Sequence, residues 1–184
     1  MKSVTNAIGV LFGLMLVGLA FLVATETVTR KLFNFSFQGA DELGGYTLAI
    51  GSALAFSVAL VGRAHIRIDL VHMRLPAAVQ AILNWASAML LAAFGLLLVY
   101  VCWTVVADTM EYNSTAATPW ATPLVYPQGA WYAALAAFAL LAVAMALRAT
   151  VLLLRGRIAA VNREFGPHTV EDELREELDD LKQR

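Results

Sequence analysis

Four stretches free of charged residues alternate with short charged segments along this chain: Ser3 to Thr25, Leu43 to Gly62, Leu75 to Ala107 and Tyr112 to Leu147. Each reaches the ~20 residues that a helix needs to cross ~30 Å of hydrocarbon. None keeps the polar face that a surface helix of a water-soluble domain turns to solvent. The pattern predicts an all-α membrane protein with four transmembrane helices over about residues 4–28, 41–62, 77–107 and 128–154. They make up one membrane domain, 1–163, followed by an acidic tail, 164–184.

The charged segments locate the ends of the spans. Arg30 and Lys31 close the first, and Phe33, Phe35 and Phe37 follow at headgroup depth, where aromatic rings are favoured. Asp41 and Glu42 open the second, where negative charge suits a helix N-terminus. The segment after span two, Arg63 to Arg74, reads RAHIRIDLVHMR. Ile66, Leu70 and Met73 share one helical face there, so an amphipathic segment lying in the interface is expected. The alternation Ile66, Ile68, Leu70 equally permits an extended turn. Pro76 suits the start of the third helix. That span is longer than crossing requires, so it tilts or protrudes. Pro119, Pro123 and Pro127 are expected to keep the linker Asp108 to Pro127 from being helical.

With four spans, Lys2, Arg63, Arg67, Arg74, Arg155, Arg157 and Arg163 fall on one side of the membrane and Arg30 and Lys31 on the other. The excess of basic residues predicts that both termini are cytoplasmic. Residues 1–163 hold ten Lys/Arg against six Asp/Glu, whereas 164–184 hold three against eight, so a basic membrane body carries an acidic tail. In that tail Thr169 and Asp172 fit a capping box. Val170, Leu174, Leu178 and Leu181 form a narrow apolar stripe, read as a short solvated helix or as a cytoplasmic docking helix. Lys2 followed by an apolar run with Ala20 and Ala24 also fits the outline of a secretory leader. The run exceeds the ~7–15 residues of such a leader's apolar core, so a retained span is expected.

Candidate chemistry is sparse. A single cysteine, Cys102, excludes an intrachain disulfide or a cysteine-based metal site. Glu26 lies within an apolar run, the usual mark of a proton or cation site. Arg30 stands four residues on, so an interfacial pair explains the acid as well. His65 and His72 lie in a charged loop, not within spans where haem ligation would need them. The spans lack paired intramembrane charges and Gly/Pro-broken half-helices, which mark transporter substrate sites. Gly9 and Gly13, and the ridge Gly45, Ala49, Ala53 and Ser57, are small residues that let helices approach closely. There is no nucleotide loop, catalytic triad or zinc motif. An auxiliary membrane subunit fits better than an enzyme, and no cofactor or nucleic-acid partner is expected.

Several local patterns occur together in order. They are Asp41-Glu42-Leu43, Arg63-Ala64-His65-Ile66-Arg67-Ile68-Asp69, Leu75-Pro76, Thr118-Pro119-Trp120 and Tyr126-Pro127-Gln128-Gly129. On four spans of this length, over about residues 5–155, the chain resembles the DctQ-type small membrane subunit of tripartite ATP-independent periplasmic (TRAP) transporters. The resemblance implies a multi-pass protein of the bacterial cytoplasmic (inner) membrane. Its partners would be a large many-span elevator-type subunit and a periplasmic substrate-binding protein, alongside membrane lipids. A sodium gradient would drive uptake of an organic acid, usually a carboxylate. The small subunit would be scaffold, with no substrate or sodium site.

Under that resemblance Glu42, Gly45, Ala49 and Ala53 are expected to face the large subunit. Arg63, His65, Arg67 and Asp69 would pair with one another, with lipid phosphates or with the large subunit. Arg30, Asp41, Pro119 and Trp120 would meet the binding protein. Ordinary lipid anchoring accounts equally for the arginines, and an interfacial aromatic belt for Trp120. Three other readings compete: the four-span small subunit of a tripartite tricarboxylate transporter, a respiratory membrane anchor, and a stand-alone small transporter.

Overall fold

A computed structural model describes residues 2–36, 39–62, 72 and 74–166. Among them the chain forms five helices, α1 (Lys2–Phe33), α2 (Ala40–Val61), α3 (Ala77–Tyr112), α4 (Val125–Leu154) and α5 (Ile158–Phe165). The first four are long and apolar enough to cross a membrane, as the hydropathy pattern predicts. The expected interfacial segment falls almost wholly on 63–71, outside the described residues, as does the tail helix from Thr169.

The ends of the helices follow local chemistry. α3 stops at Asn113, whose left-handed backbone (φ 48°) lets the Ser114 N–H reach back to the Thr109 carbonyl at 3.1 Å. α4 stops at Gly156 (φ 67°), with Arg157 N–H on Leu152 C=O and Gly156 N–H on Leu153 C=O, a Schellman cap. Pro127, expected as a helix breaker, lies instead in the first turn of α4, where a missing N–H costs nothing.

Packing is centred on α4. It lies against α3 along most of its length, against α2 on another face and against α5 at its end, while α1 packs chiefly on α2. Three apolar layers stack along the bundle. Ala53, Cys102, Val106, Ala134 and Leu135 form the layer nearest the α3–α4 linker. Leu60, Ala92, Phe138, Ala142 and Ala146 form the middle. Ala81, Ala149, Leu152, Val161 and Phe165 form the layer at the α5 end. Alanine dominates because lipid offers no hydrophobic drive for helix association, so the helices gain from close contact of small side chains. Gly95 marks the close approach of the α3 and α4 backbones. A Cβ added there would lie 3.2 Å from the Ala139 Cα. By contrast α1 exposes Val10, Leu14, Val17 and Phe21 along one flank.

α5 is the element missing from the hydropathy reading. Its signal is nonetheless present. Ile158, Val161 and Phe165 recur on one helical face, and Val161 and Phe165 are buried against α3 and α4. The structured body therefore extends to Gly166, so Glu164, read as the first residue of the tail, belongs to the bundle.

Candidate functional site

Polar side chains gather at the two ends of the bundle. At the end carrying the α1–α2 and α3–α4 connections, two buried carboxylates hold the fold together. Glu26, 4% exposed, accepts from Arg30 Nη2 at 2.6 Å and from Ser36 Oγ at 2.6 Å. The chain thus turns back over the end of α1, with Asn34 in the left-handed region (φ 49°). The Glu26–Arg30 pair expected from the i, i+4 spacing is formed, and the Arg30 side chain stays 60% exposed.

Glu42, in the first turn of α2, is 7% exposed. It accepts from Tyr46 Oη at 2.9 Å and from the Thr118 hydroxyl. Thr118 reaches it because the linker folds into a small hairpin. Thr115 and Pro123 form an antiparallel bridge, Leu124 N–H meets Ser114 C=O at 3.0 Å, and Ala116 N–H meets Thr122 C=O at 2.9 Å. The tip is a turn closed by Ala121 N–H on Thr118 C=O at 2.9 Å, with Pro119 at the position that fixed φ favours. Trp120 then lies over Gly39, whose missing side chain leaves room for the indole; a Cβ there would collide with the ring. Thr118-Pro119-Trp120 is therefore a clasp. Threonine binds the carboxylate, proline shapes the turn, and tryptophan covers the start of α2.

Four expected docking residues meet at this end. Arg30 and Asp41 line one open cleft of about 330 Å³, and Pro119 and Trp120 are exposed on the clasp beside it. On its other flank Trp120 roofs an apolar cleft of about 280 Å³ lined by Phe21, Leu22, Thr25, Ala40 and Leu43.

The small-residue ridge of α2 is split by the geometry of the helix. At ~100° per residue, each i, i+4 step advances the row by ~40° around the axis. Gly45 is exposed and Ala49 partly so, whereas Ala53 (1%) and Ser57 (6%) turn into the core against α4. Glu42 and Ala53 thus serve internal contacts. The outward stripe of α2 is Asp41, Gly45, Leu48, Ser52 and Phe56. Arg63, His65, Arg67 and Asp69 lie outside the described residues.

At the opposite end, contacts between residues distant in sequence join α3, α4 and α5. Asn84 Nδ2 donates to Asn162 Oδ1 at 3.1 Å, and Asn162 Nδ2 donates to the Ala77 carbonyl at 2.9 Å. Trp85 Nε1 donates to Thr150 Oγ1 at 2.9 Å. Arg148 meets Glu164 in a two-pronged contact, Nε to Oε2 at 2.6 Å and Nη2 to Oε1 at 3.0 Å. Arg148 lies inside α4, and its partner comes from a helix the hydropathy pattern does not show. The clue in the sequence is the rule that a charge within a span has a partner.

Among the described residues no three His, Cys, Asp or Glu side chains gather as a metal site. The polar groups brace the ends of the bundle, and the layers between them are apolar. A family model described as "Tripartite ATP-independent periplasmic transporters, DctQ component" matches residues 19–152, from the middle of α1 to the end of α4. No curated protein matches the chain.

Proposed function

Because the chain belongs to the DctQ family of TRAP transporter components, we propose that it is the scaffold half of a membrane pair and carries no substrate itself. It holds a large, many-span transport subunit in position in a bacterial inner membrane. A periplasmic binding protein delivers the substrate, an organic acid of the carboxylate class, and a sodium gradient drives its uptake. The observation that carries this reading is the family match across all four spans. Two features agree with it. The bundle's polar groups are consumed in bracing its own ends. Two long helices, α1 and α2, also present an exposed outer face among the described residues.

The large subunit is assigned to the outer face of α1 and to the α2 stripe around Gly45. The binding protein is assigned to the end that presents Arg30, Asp41, Pro119 and Trp120, which places the termini in the cytoplasm. Co-expression with the neighbouring large membrane subunit tests the first assignment. Stoichiometric co-elution in mild detergent is expected, and Gly45→Trp should abolish it. A Cβ at Gly45 meets nothing within 4 Å in this chain, so the added bulk acts on a partner. Leu140→Trp, on a 72% exposed position of α4, should leave co-elution intact. A chain that purifies alone as a stable homo-oligomer, and transports alone in liposomes, would overturn the scaffold reading.

A further inference from the structure

The end of α1 and the start of α2 share an open cleft of about 330 Å³. Among the described residues four charged groups line it, Glu26, Arg30, Lys31 and Asp41, beside Val23 and Ala40. Two of the four are spent on each other. Glu26 is buried and accepts from Nε and Nη2 of Arg30. That leaves the Nη1 edge of Arg30, whose side chain is 60% exposed. The other two are unspent. The Lys31 and Asp41 side chains are exposed and enter no hydrogen bond or ion pair among the described residues. Asp41 has only a through-space attraction from Arg30. Phe37 and Gln38, which complete the α1–α2 connection, bring no charge. The cleft therefore offers an unpaired cation and an unpaired anion together, at the level where two spans end.

An apolar row leads away from it. Val23 lines the cleft, and Ala20 and Leu16 continue its row at i−3 and i−7 along α1. All three are exposed, Leu16 by 36% and Val23 by 45%. At ~100° per residue this row falls on a different face of α1 from Val10, Leu14, Val17 and Phe21. Because α1 is one of the spans, the row runs from headgroup level into the hydrocarbon.

We infer that this cleft seats the headgroup of one aminophospholipid, with its phosphate held by Lys31 and Arg30, its ammonium held by Asp41, and an acyl chain lying along Val23, Ala20 and Leu16. A zwitterion answers both unpaired charges at once. An anionic lipid would set its charge against Asp41, and a lone cation would leave Lys31 unmatched. A primary ammonium also gives Asp41 N–H donors that a fully methylated one lacks, so charge-assisted hydrogen bonding favours an ethanolamine headgroup over choline. A soluble zwitterion would use the charges and ignore the apolar row. The site is independent of the scaffold reading, because it needs only this chain and a bilayer.

The test is native mass spectrometry of the full-length chain with phosphatidylethanolamine, its N,N-dimethyl form and phosphatidylcholine, all with identical acyl chains. Retention by the wild type should fall in that order, by about fivefold from first to last, the scale of one exposed charge pair. Asp41→Asn should bring the three lipids within about twofold of one another. Lys31→Gln should lower retention of all three by about threefold and keep their order. Glu111→Gln removes an exposed acid of α3 and should change neither the retention nor the order. Unchanged melting of Asp41→Asn checks that the fold is intact, and the wild-type lipid series carries the test if it is not. The inference is overturned if the wild type retains phosphatidylethanolamine and phosphatidylcholine equally, if Asp41→Asn keeps the preference, or if Lys31→Gln retains all three as the wild type does. It is equally overturned if Glu111→Gln loses as much as Asp41→Asn, or if excess soluble phosphoethanolamine displaces the lipid.

Discussion

Glu42 shows how one side chain acquires its role from what folds over it. In isolation it is an acid at a helix N-terminus, favoured there by the backbone dipole. In the bundle it is buried and receives hydroxyls from Thr118, Thr122 and Tyr46. Thr118→Val should remove one of the hydroxyls that hold this buried carboxylate, and losing a hydrogen bond to a charged group is costly. A lowered melting temperature in detergent is expected. Glu42→Lys should do more harm than Thr118→Val, because it puts an ammonium where three hydroxyls point their donors. Gly39→Ala tests the other half of the clasp. Its Cβ meets the indole, so Trp120 must swing out, and its fluorescence should shift toward the red as the ring enters water. An unchanged spectrum would show that the ring does not lie on Gly39.

At the scale of elements, small residues and one short amphipathic helix decide which helices stay together. Gly95 lets α3 approach α4 to direct contact with the Ala139 backbone. Gly95→Leu should force the pair apart and cost about 2–3 kcal/mol, typical of overpacking a tight contact. Its readout is a lower midpoint in a detergent-denaturation titration. α5 is held mainly by apolar burial, with the Arg148–Glu164 pair added at the edge. Exposed ion pairs contribute little, whereas truncating a buried Phe costs about 3–5 kcal/mol. Phe165→Ala should therefore release α5, seen as faster hydrogen exchange over 158–165, while Arg148→Ala should leave that exchange nearly unchanged. The reverse order would assign the docking of α5 to the ion pair.

For the molecule as a whole, the uneven attachment of the four spans matters most. α2 and α3 each pack against α4, and α1 leans on this unit mainly through α2. Phe12 fits over Gly51, where a Cβ would strike its ring. Gly51→Leu should loosen α1 while α2–α4 remain folded, so a cysteine pair placed across α1 and α2 should cross-link more slowly and a pair across α3 and α4 at the original rate. The end bearing Arg30, Asp41 and Trp120 makes a separate prediction. Asp41→Lys reverses an exposed charge there and should slow uptake at limiting binding protein. Equal uptake at every binding-protein concentration would remove Asp41 from the docking surface.

Much of this architecture is written in one dimension. The positions of the spans follow from the absence of charge over lengths that match the bilayer, because lipid forbids unpaired polar groups whatever the tertiary arrangement. The Glu26–Arg30 pair was equally legible, since i, i+4 neighbours meet on any helix. Contacts between residues far apart in the chain were not. Thr118 reaches Glu42 only because the linker folds into a hairpin, and Arg148 finds Glu164 only because Val161 and Phe165 bury α5 against two spans. The ridge Gly45–Ala49–Ala53–Ser57 marks the division. Its spacing announces close packing, but a row that winds around the helix passes from the outer face into the core, and only the placement of α4 decides where along it that change occurs.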